Sequence, residues 1–469
     1  MRYTNTSITA TLLGVVWLAI MLKYTGVPYS WFGPTGARTP AYHDMANAVA
    51  WTRRHIDEVL QANRQAEWAS LNDRRAAHTI AKLADQTEPP WTWQLQRGEG
   101  AESGRAGGRQ VASRQAAPEN DWTDAVAPPQ FCVAVVTTER PALPDIVSVT
   151  MASLLVGVNA SMLTDRLHLA VFNGALAPGN HTHARRWRAR VPVLERPPEM
   201  VERLGLVNET WTRKETLDYT DALAYCVAMD SSYVLVLEDD AIAAPEGRWL
   251  EGLHHIVQML ELGGAAAAAG GGRHLGASHA IVRVFYTDDF RGFGNDKASA
   301  GILSAMALAA CTAALATPRV LVRCQSRQNR NTGTARVRCG RAPLALAVAV
   351  NVVLMALAIG FQNFVPIGPG LVPSPPGFCC TQAILYGAEV ARSISTLLRQ
   401  SVDSPVPEVR QAPVDLLLAN LIDQLQLPMY VWSPSLWQHI GILSSNPDRP
   451  SRIMLSATYR SGLTFDAPL

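Results

Sequence analysis

Three consecutive carboxylates, Glu238, Asp239 and Asp240, directly follow an apolar run that begins at Tyr233. The run predicts a strand buried on both faces, so the acids would lie where this strand ends. In open α/β sheets that carboxyl edge is where ligands bind, and adjacent carboxylates repel one another unless a cation neutralises them. Mg²⁺ and Mn²⁺ prefer oxygen ligands and bring substrate phosphates with them. The pattern therefore favours a divalent-metal site, although a solvated acidic turn or a helix N-cap has the same composition.

Strands and helices alternate around these acids. Buried strands are predicted at 131–138 and 167–173, and helices at 146–158 and 214–229 separate them from each other and from the acidic strand. This order is typical of a parallel α/β sheet. The alternation resumes near the C-terminus, with a strand or helix start at 379–386, a helix to about Gln400, a helix at 416–425 and a strand at 429–432.

Composition excludes several classes of function. The net charge of +2 argues against a nucleic-acid-binding surface. Only 17% of the 469 residues are charged, which indicates that apolar residues are concentrated locally, as in a membrane protein. The seven cysteines form no Cys-x-x-Cys pair, so zinc or thioredoxin-type chemistry is not expected. In an oxidising lumen, Cys132 and Cys226 could be bridged.

Three uncharged apolar segments predict membrane spans. Residues 8–22, followed by Lys23, predict an uncleaved N-terminal anchor, with a cleaved signal peptide as the competing interpretation. Residues 298–317 and 342–360 are each about 20 residues without charge, the length that crosses a hydrocarbon core, and a buried Ala-rich helical hairpin is the alternative. The loop between them contains seven arginines and no acid, which predicts a cytoplasmic loop and a lumenal α/β domain.

This topology interrupts one α/β domain with two spans. Sequons at Asn159, Asn180 and Asn208 fit a lumenal face for the domain. The predicted organisation is a cytoplasmic tail at 1–7, an anchor at 8–25, a lumenal helical stem at 26–95, a disordered linker at 96–129, the first part of the domain at 130–297, spans at 298–317 and 342–362 around a cytoplasmic loop at 318–341, and the second part of the domain at 363–469.

The combination of features resembles a known enzyme family. The Glu-Asp-Asp motif, the anchor, the hairpin inserted within the α/β domain and the terminal Pro-Ser-Leu-Trp-Gln-His-Ile-Gly at 434–441 are together similar to the post-GPI-attachment GalNAc-transferases of the Golgi. The similarity covers about 131–445, and the inserted hairpin is its most specific part. It implies an A-type glycosyltransferase fold, a Rossmann-like mixed α/β sheet, with one N-terminal and two inserted transmembrane helices. It also implies a multi-pass Golgi membrane protein whose catalytic domain is lumenal.

The resemblance implies a role for each matching residue. The implied donor-binding residues are Thr137, Thr138, Arg140, Glu238, Asp239, Thr381 and Gln382. The implied ligands of Mn²⁺ (or Mg²⁺) are Asp240, Asp239 and His439. Asp415, at a predicted helix N-terminus, matches the general base of inverting A-type enzymes, and plain helix capping is its alternative role. Asp288 and Asp289 are reserve candidates for the base.

The implied activity is transfer of GalNAc from UDP-GalNAc, in β linkage, to a mannose of a GPI-anchor glycan. Such a transfer inverts the anomeric centre, so it needs one base for the acceptor hydroxyl and a cation for the diphosphate leaving group. The expected partners are UDP-GalNAc, a GPI glycan and the membrane, without nucleic acid. Two alternatives remain: a related UDP-GlcNAc- or hexosyltransferase with another glycan acceptor, and a catalytically inactive membrane scaffold with the same fold.

Overall fold

The computed structural model of the chain describes residues 40–61, 66–86, 93–96, 127–140, 145–156, 158, 166–207, 209–269, 277–286, 304–309, 312, 350, 352, 370–374 and 381–441. The chain divides into two compact units. One unit comprises Asp44–Thr287, Gly368–Ser374 and Phe378–Leu469 and contains every strand described below. The other comprises Met1–His43, Asp288–Ile367 and Pro375–Gly377.

Among the residues that the structure describes, no helix is both long enough and apolar enough to cross a bilayer. The predicted spans at 8–25, 298–317 and 342–362 lie outside the described residues except at 304–309, 312, 350 and 352. Asn159, Asn208, Asp288 and Asp289 also lie outside them. The three-span topology therefore stays a prediction.

Eleven strands are formed by the described residues. They are β1 (Gln94–Gln96), β2 (Phe131–Thr137), β3 (Leu167–Asn173), β4 (Val193–Glu195), β5 (Tyr233–Glu238), β6 (Ala241–Ala243), β7 (Ile281–Arg283), β8 (Gly370–Pro373), β9 (Ala383–Gly387), β10 (Met429–Ser433) and β11 (Trp437–His439). Nine of them form one sheet in the order β1-β4-β3-β2-β5-β9-β7-β10-β8, and β6 pairs with β11 in a second sheet.

The large sheet is mixed. Strands β4, β3, β2 and β5 are parallel neighbours, as the alternating sequence predicts. Strand β9 lies between β5 and β7 and is antiparallel to both, and β8 is antiparallel to β10 at one edge. A mixed α/β sheet of this kind confirms the predicted Rossmann-like class.

Helices connect most of these strands along the chain. They are α1 (Pro40–Gln61), α2 (Ala66–Gln86), α3 (Ile146–Leu155), α4 (Thr182–Arg185), α5 (Pro198–Arg203), α6 (Trp211–Ala228), α7 (Arg248–Ala269), α8 (Ala388–Val402), α9 (Pro407–Arg410) and α10 (Val414–Gln424). Helix α6 begins after Thr210, whose side chain accepts a hydrogen bond from the Arg213 amide. Its buried face joins the apolar core shared by the sheet, α8 and α10.

The register of the parallel strands brings the acids to the end of β2. Val136 is opposite Glu238, so Thr137 and Asp239 follow at the same carboxyl edge. Strand β9 enters the sheet from this edge, because Ala383 is opposite Leu237. One edge of the sheet therefore collects three chain segments that are remote in sequence.

The predicted stem and linker contribute to the same unit as the sheet. Strand β1 pairs with β4 in antiparallel fashion and extends the sheet. In α2, the indole N–H of Trp68 donates to the Leu167 carbonyl at 3.2 Å, and Asn72 donates to the Leu169 carbonyl at 2.6 Å. The disulfide that the sequence allowed is present and joins Cys132 in β2 to Cys226 in α6.

Candidate active site

Asp239 is the fully hydrogen-bonded member of the acidic triplet. Its Oδ2 accepts from the Thr137 hydroxyl at 2.7 Å and from the Thr138 amide at 3.4 Å, and its Oδ1 accepts from Arg140 at 2.6 Å. Burial raises the pKa of Asp239 and Arg140 opposes that rise. Because all three partners can donate, the geometry suits the ionised carboxylate. Asp239 thus joins the ends of β2 and β5 and orients Arg140.

Arg140 bridges two of the three acids. Its Nη2 donates to Asp239, and its Nη1 donates to Asp240 Oδ2 at 2.9 Å. Burial by itself would lower the pKa of Arg140, but the attraction of Asp239 and Asp240 raises this pKa above its ordinary value. The guanidinium therefore stays charged and supplies one of the positive charges that the adjacent carboxylates require.

Asp240 has one oxygen that is buried and without a hydrogen-bond partner in the described part of the chain, its Oδ1. Its Oδ2 accepts from Arg140 and lies 3.3 Å from His439 Nε2. Burial opposes ionisation, yet His439 and Arg140 outweigh burial and hold the pKa of Asp240 well below its ordinary value. An ionised and unpartnered oxygen of this kind is costly unless a cation or a donor approaches it.

The small sheet positions His439. Strand β11 pairs with β6 so that His439 is opposite Ala241, the residue after Asp240. The Ile440 amide donates to the Asp240 carbonyl at 2.7 Å. A Cβ on Gly441 would collide with the Asp240 carboxylate and lie 2.8 Å from His439 Nε2. The terminal motif therefore closes around Asp240, and the absence of a side chain at 441 leaves room for the Asp240 carboxylate and the His439 ring.

Glu238 differs from the two aspartates. Its Oε1 accepts from the Thr381 hydroxyl at 2.6 Å, and its amide donates to the Gln382 carbonyl at 3.0 Å. Burial, Asp240 and Glu215 raise the pKa of Glu238 well above its ordinary value, which favours the uncharged acid. The three adjacent acids thus occupy three different electrostatic environments.

A single cleft brings together most of the predicted donor-binding residues. Its lining includes Thr137, Thr138, Arg140, Glu238, Asp239 and Thr381. Gln382 is adjacent to Thr381, and its buried Oε1 has no hydrogen-bond partner among the described residues. The sequence analysis missed the opposite wall, where α6 contributes Trp211, Lys214, Asp218 and Tyr219. These residues lie on a helix that is buried on most of its circumference, so no local pattern distinguishes them.

Asp415 lies in the first turn of α10 and is partly exposed. Its Oδ1 accepts from the Leu416 amide at 2.9 Å, but the N-cap of α10 is Pro413, so Asp415 does not cap the helix. The preceding residue, Val414, lines the cleft, whereas Asp415 does not. The structure thus places the predicted base next to the cleft, on a helix that begins at its wall.

His181 is a further buried residue that the sequence analysis missed. Its Nε2 lies 2.8 Å from the Thr137 hydroxyl oxygen. The single hydroxyl proton of Thr137 goes to Asp239, so His181 Nε2 must carry the proton and donate to Thr137. Burial and His183 lower the pKa of His181 to about 4, which keeps the ring neutral at neutral pH. In sequence, His181 is the central residue of the Asn180 sequon, a motif that points only to glycosylation.

A divalent cation fits this site through two protein ligands. In the described part of the chain, no three His, Cys, Asp or Glu side chains are grouped as a metal site. Asp240 and His439 are adjacent, however, and Asp240 Oδ1 is buried without a hydrogen-bond partner among the described residues. Mg²⁺-type ions commonly take only one or two carboxylates from a protein and complete their shell with water and substrate phosphates. The donor set therefore suits an ion that binds together with a diphosphate.

The sheet is Rossmann-like, and its acidic strand ends beside a cleft. These features define a class of α/β enzymes that bind their substrates at the carboxyl edge of the sheet. The chain belongs to the family of GPI-N-acetylgalactosamine transferase PGAP4, whose model matches residues 131–438. It is therefore a glycosyltransferase. The matched range contains the residues of the candidate site except the last of them, His439, Ile440 and Gly441. No curated protein matches the chain.

Proposed function

We propose that the protein transfers GalNAc from UDP-GalNAc, in β linkage and with inversion, to a mannose of a GPI-anchor glycan. The family match supports the sugar and the acceptor class. The observation that carries the proposal is the cleft at the carboxyl edge, which six predicted donor-binding residues line. Asp240, the residue after the cleft-lining Asp239, adds a buried oxygen without a hydrogen-bond partner among the described residues. A nucleotide sugar offers hydroxyls and phosphates, which suit such a mixture of carboxylates, hydroxyls and a guanidinium.

Different residues of the cleft would bind different parts of the donor. The Arg140 guanidinium, held by Asp239, provides a fixed positive charge for the diphosphate. Glu238 in its uncharged form can donate to an oxygen of the donor, and Thr137 and Thr138 line the cleft at the end of β2. Asp240 and His439 would hold Mn²⁺ or Mg²⁺, which would neutralise charge that develops on the leaving diphosphate.

Asp415 is the proposed general base. An inverting transfer needs one carboxylate that removes the proton of the acceptor hydroxyl as the new bond forms. Asp415 lies next to the cleft-lining Val414 and is partly exposed, so an acceptor can approach it from solvent. Its Oδ1 accepts a hydrogen bond from the Leu416 amide, which holds the carboxylate at the start of α10.

The proposed setting is the lumenal side of the Golgi membrane, in a multi-pass protein. The Cys132–Cys226 disulfide supports an oxidising compartment. The apolar segments at 298–317 and 342–362 would tether the domain near the bilayer, where the glycan of a lipid anchor lies. Such tethering raises the effective concentration of the acceptor.

Cell-free transfer tests this proposal. Purified protein is supplied with a GPI glycan and, in turn, UDP-GalNAc, UDP-GlcNAc and UDP-galactose, with and without a chelator. We expect product only from UDP-GalNAc and loss of product with the chelator. The variant Asp240→Asn should lose activity about 100-fold or more, because it removes the charge from the metal-facing carboxylate.

The matched control is Asp230→Asn. Asp230 is an exposed aspartate at φ 58°, a conformation that asparagine tolerates, and its partner is the surface residue Lys82. This variant should retain activity. Full transfer with Asp240→Asn or in the presence of chelator would rule out the metal site, and product from another UDP-sugar would reassign the donor. Absence of transfer from all three donors would favour the inactive scaffold.

A further inference from the structure

A buried network of charged side chains extends from the cleft into the core. Lys214 Nζ donates to Asp218 Oδ2 at 2.7 Å, and Arg196 pairs with Asp218 through Nη1 and donates to Asp221 Oδ2 at 2.6 Å. All four side chains belong to residues that are at most 4% exposed. Two cations therefore balance two anions inside the protein. Arg399 from α8 pairs with the other oxygen of Asp221 at the rim.

Buried ion pairs of this kind need a reason beyond stability. The desolvation of such pairs costs about as much as their attraction returns, and replacing them with apolar residues of similar volume is often neutral or stabilising. The network ends in the cleft, because Lys214 and Asp218 line it together with Arg140. Gly174, directly after β3, leaves room for the Asp218 carboxylate, because a Cβ at residue 174 would collide with it. The ammonium of Lys214 is thus fixed at the cleft wall.

The other end of the network is Trp93. Its indole N–H donates to Asp221 Oδ2 at 2.7 Å, and the Arg196 guanidinium carbon lies 4.0 Å from the centroid of its ring. The ring also contacts Phe172 edge-on at 5.0 Å. Trp93 directly precedes β1 and lies before the range 131–438 that the family model matches. A residue from outside that range therefore completes a network that ends in the cleft.

We propose that Trp93 is a positioning residue for the donor. Through Asp221, Arg196 and Asp218 it holds the Lys214 ammonium in place, and Lys214 donates hydrogen bonds to oxygen atoms of the nucleotide. An ammonium carries three N–H donors, and Asp218 accepts one of them. The N-terminal segment is then a part of the donor site and not merely a spacer. This inference rests on the proposed function, because it takes a nucleotide sugar as the ligand of the cleft.

The test compares two tryptophans of the same segment in the purified full-length protein. Trp93→Phe keeps the aromatic packing and removes the N–H to Asp221. Trp68→Phe is the matched control, because Trp68 is also 1% exposed and its N–H also makes one buried hydrogen bond, to the Leu167 carbonyl. The measurements are the Kd of UDP by titration calorimetry, and KM and kcat for UDP-GalNAc. We expect Trp93→Phe to raise Kd and KM about three- to tenfold with kcat within about twofold, and Trp68→Phe to leave all three within about twofold.

A second variant tests the route of the coupling. Lys214→Met removes the ammonium at similar side-chain length and should raise the Kd of UDP about tenfold or more. Adding Trp93→Phe to it should then have no further effect, because the group that Trp93 positions is gone. Equal effects of Trp93→Phe and Trp68→Phe, or an undiminished effect of Trp93→Phe beside Lys214→Met, would overturn the inference alone. A wild-type protein that binds no UDP would instead overturn the proposed function.

Discussion

Replacing Thr137 by valine tests the hydrogen-bond chain that holds the acidic edge together. The two side chains have nearly the same shape, so the substitution removes the hydroxyl without creating a cavity. Asp239 loses a buried donor at 2.7 Å, and the N–H of His181, 2.8 Å from the same oxygen, loses its acceptor. Valine is well suited to a strand and returns a few tenths of a kcal/mol.

The expected cost follows from these two losses. A hydrogen bond to a charged group contributes about 1.5–3 kcal/mol, and a buried donor without an acceptor costs about 1–3 kcal/mol. His181 is 5% exposed, so water does not readily replace the lost acceptor. Together these figures predict that the free energy of unfolding falls by about 2–5 kcal/mol. For a domain of this size the Tm should fall by roughly 5–10 °C.

Thr79→Val is the control for this substitution. The Thr79 hydroxyl is also buried, but it donates to the Arg75 carbonyl within α2, a carbonyl that the helix ladder already serves. Its loss should cost about 1 kcal/mol or less. Thermal unfolding of the purified protein in detergent measures both variants, and Thr137→Ser should recover most of the loss. If the Tm of Thr137→Val lies within about 2 °C of the Tm of Thr79→Val, the hydrogen bonds of Thr137 to Asp239 and His181 do not stabilise the protein and the prediction is wrong.

Three further predictions concern other parts of the unit that contains the sheet. The pKa of His181 is about 4 in the folded protein and about 6.5 in the unfolded chain, so the free energy of unfolding should fall by up to about 3 kcal/mol as the pH is lowered from 6.5 to 4. The variant His181→Gln should flatten this pH dependence in unfolding experiments. The same pH dependence in the variant and the wild type would contradict the prediction. The Cys132–Cys226 disulfide closes a loop of 94 residues. In the chain-entropy model, the double variant Cys132→Ala/Cys226→Ala should lose about 4–5 kcal/mol of its free energy of unfolding. An unchanged midpoint of denaturant unfolding would contradict this value. The variant Gly441→Ala should raise the Mn²⁺ concentration needed for half-maximal activity at least about tenfold, because the added Cβ displaces the side chains of Asp240 and His439. Its Tm should change by no more than about 3 °C. An unaltered Mn²⁺ dependence would show that the space at 441 is not needed for the metal site.

The strands and helices nearest the acids could be predicted because their signals are local. The apolar run before Glu238 forms β5 as expected, and the helices predicted at 146–158 and 214–229 are α3 and α6, with ends that differ by a few residues. Such runs are recognised from neighbouring side chains alone. The bounds of α10 and β10 likewise follow the patterns at 416–425 and 429–432 closely.

Long-range pairing could not be predicted in the same way. Nothing near Ala383 shows that β9 inserts between β5 and β7, because that position depends on partners more than 100 residues away. Strand β1 was assigned partly to the stem and partly to the linker, since three residues carry no periodic signal. Trp93 and Asp221 are 128 residues apart, so their hydrogen bond leaves no trace in spacing.

In the candidate site, too, some residues could be predicted from the sequence and others could not. The Glu-Asp-Asp motif is recognisable from its own pattern, three acids after an apolar run, whereas His439 is connected to it only by the resemblance to known enzymes. The residues around them could not be found from the sequence. His181 and Lys214 lie in no motif that indicates a site, and only the fold brings them to Thr137 and to the cleft. What the sequence could not supply is the distribution of charge, with Asp239 bound to Arg140, Glu238 favouring its uncharged form and Asp240 retaining an open oxygen.

The late arrival of β9 has a consequence for biosynthesis. As the polypeptide leaves the ribosome, β2 and β5 can pair early, but the other edge of β5 and one edge of β7 have no partner until residue 387 has been translated. Unpaired strand edges are templates for wrong association. These strand edges stay open while roughly 100 more residues are added after β7, so chaperone supply during translation should affect the folding yield.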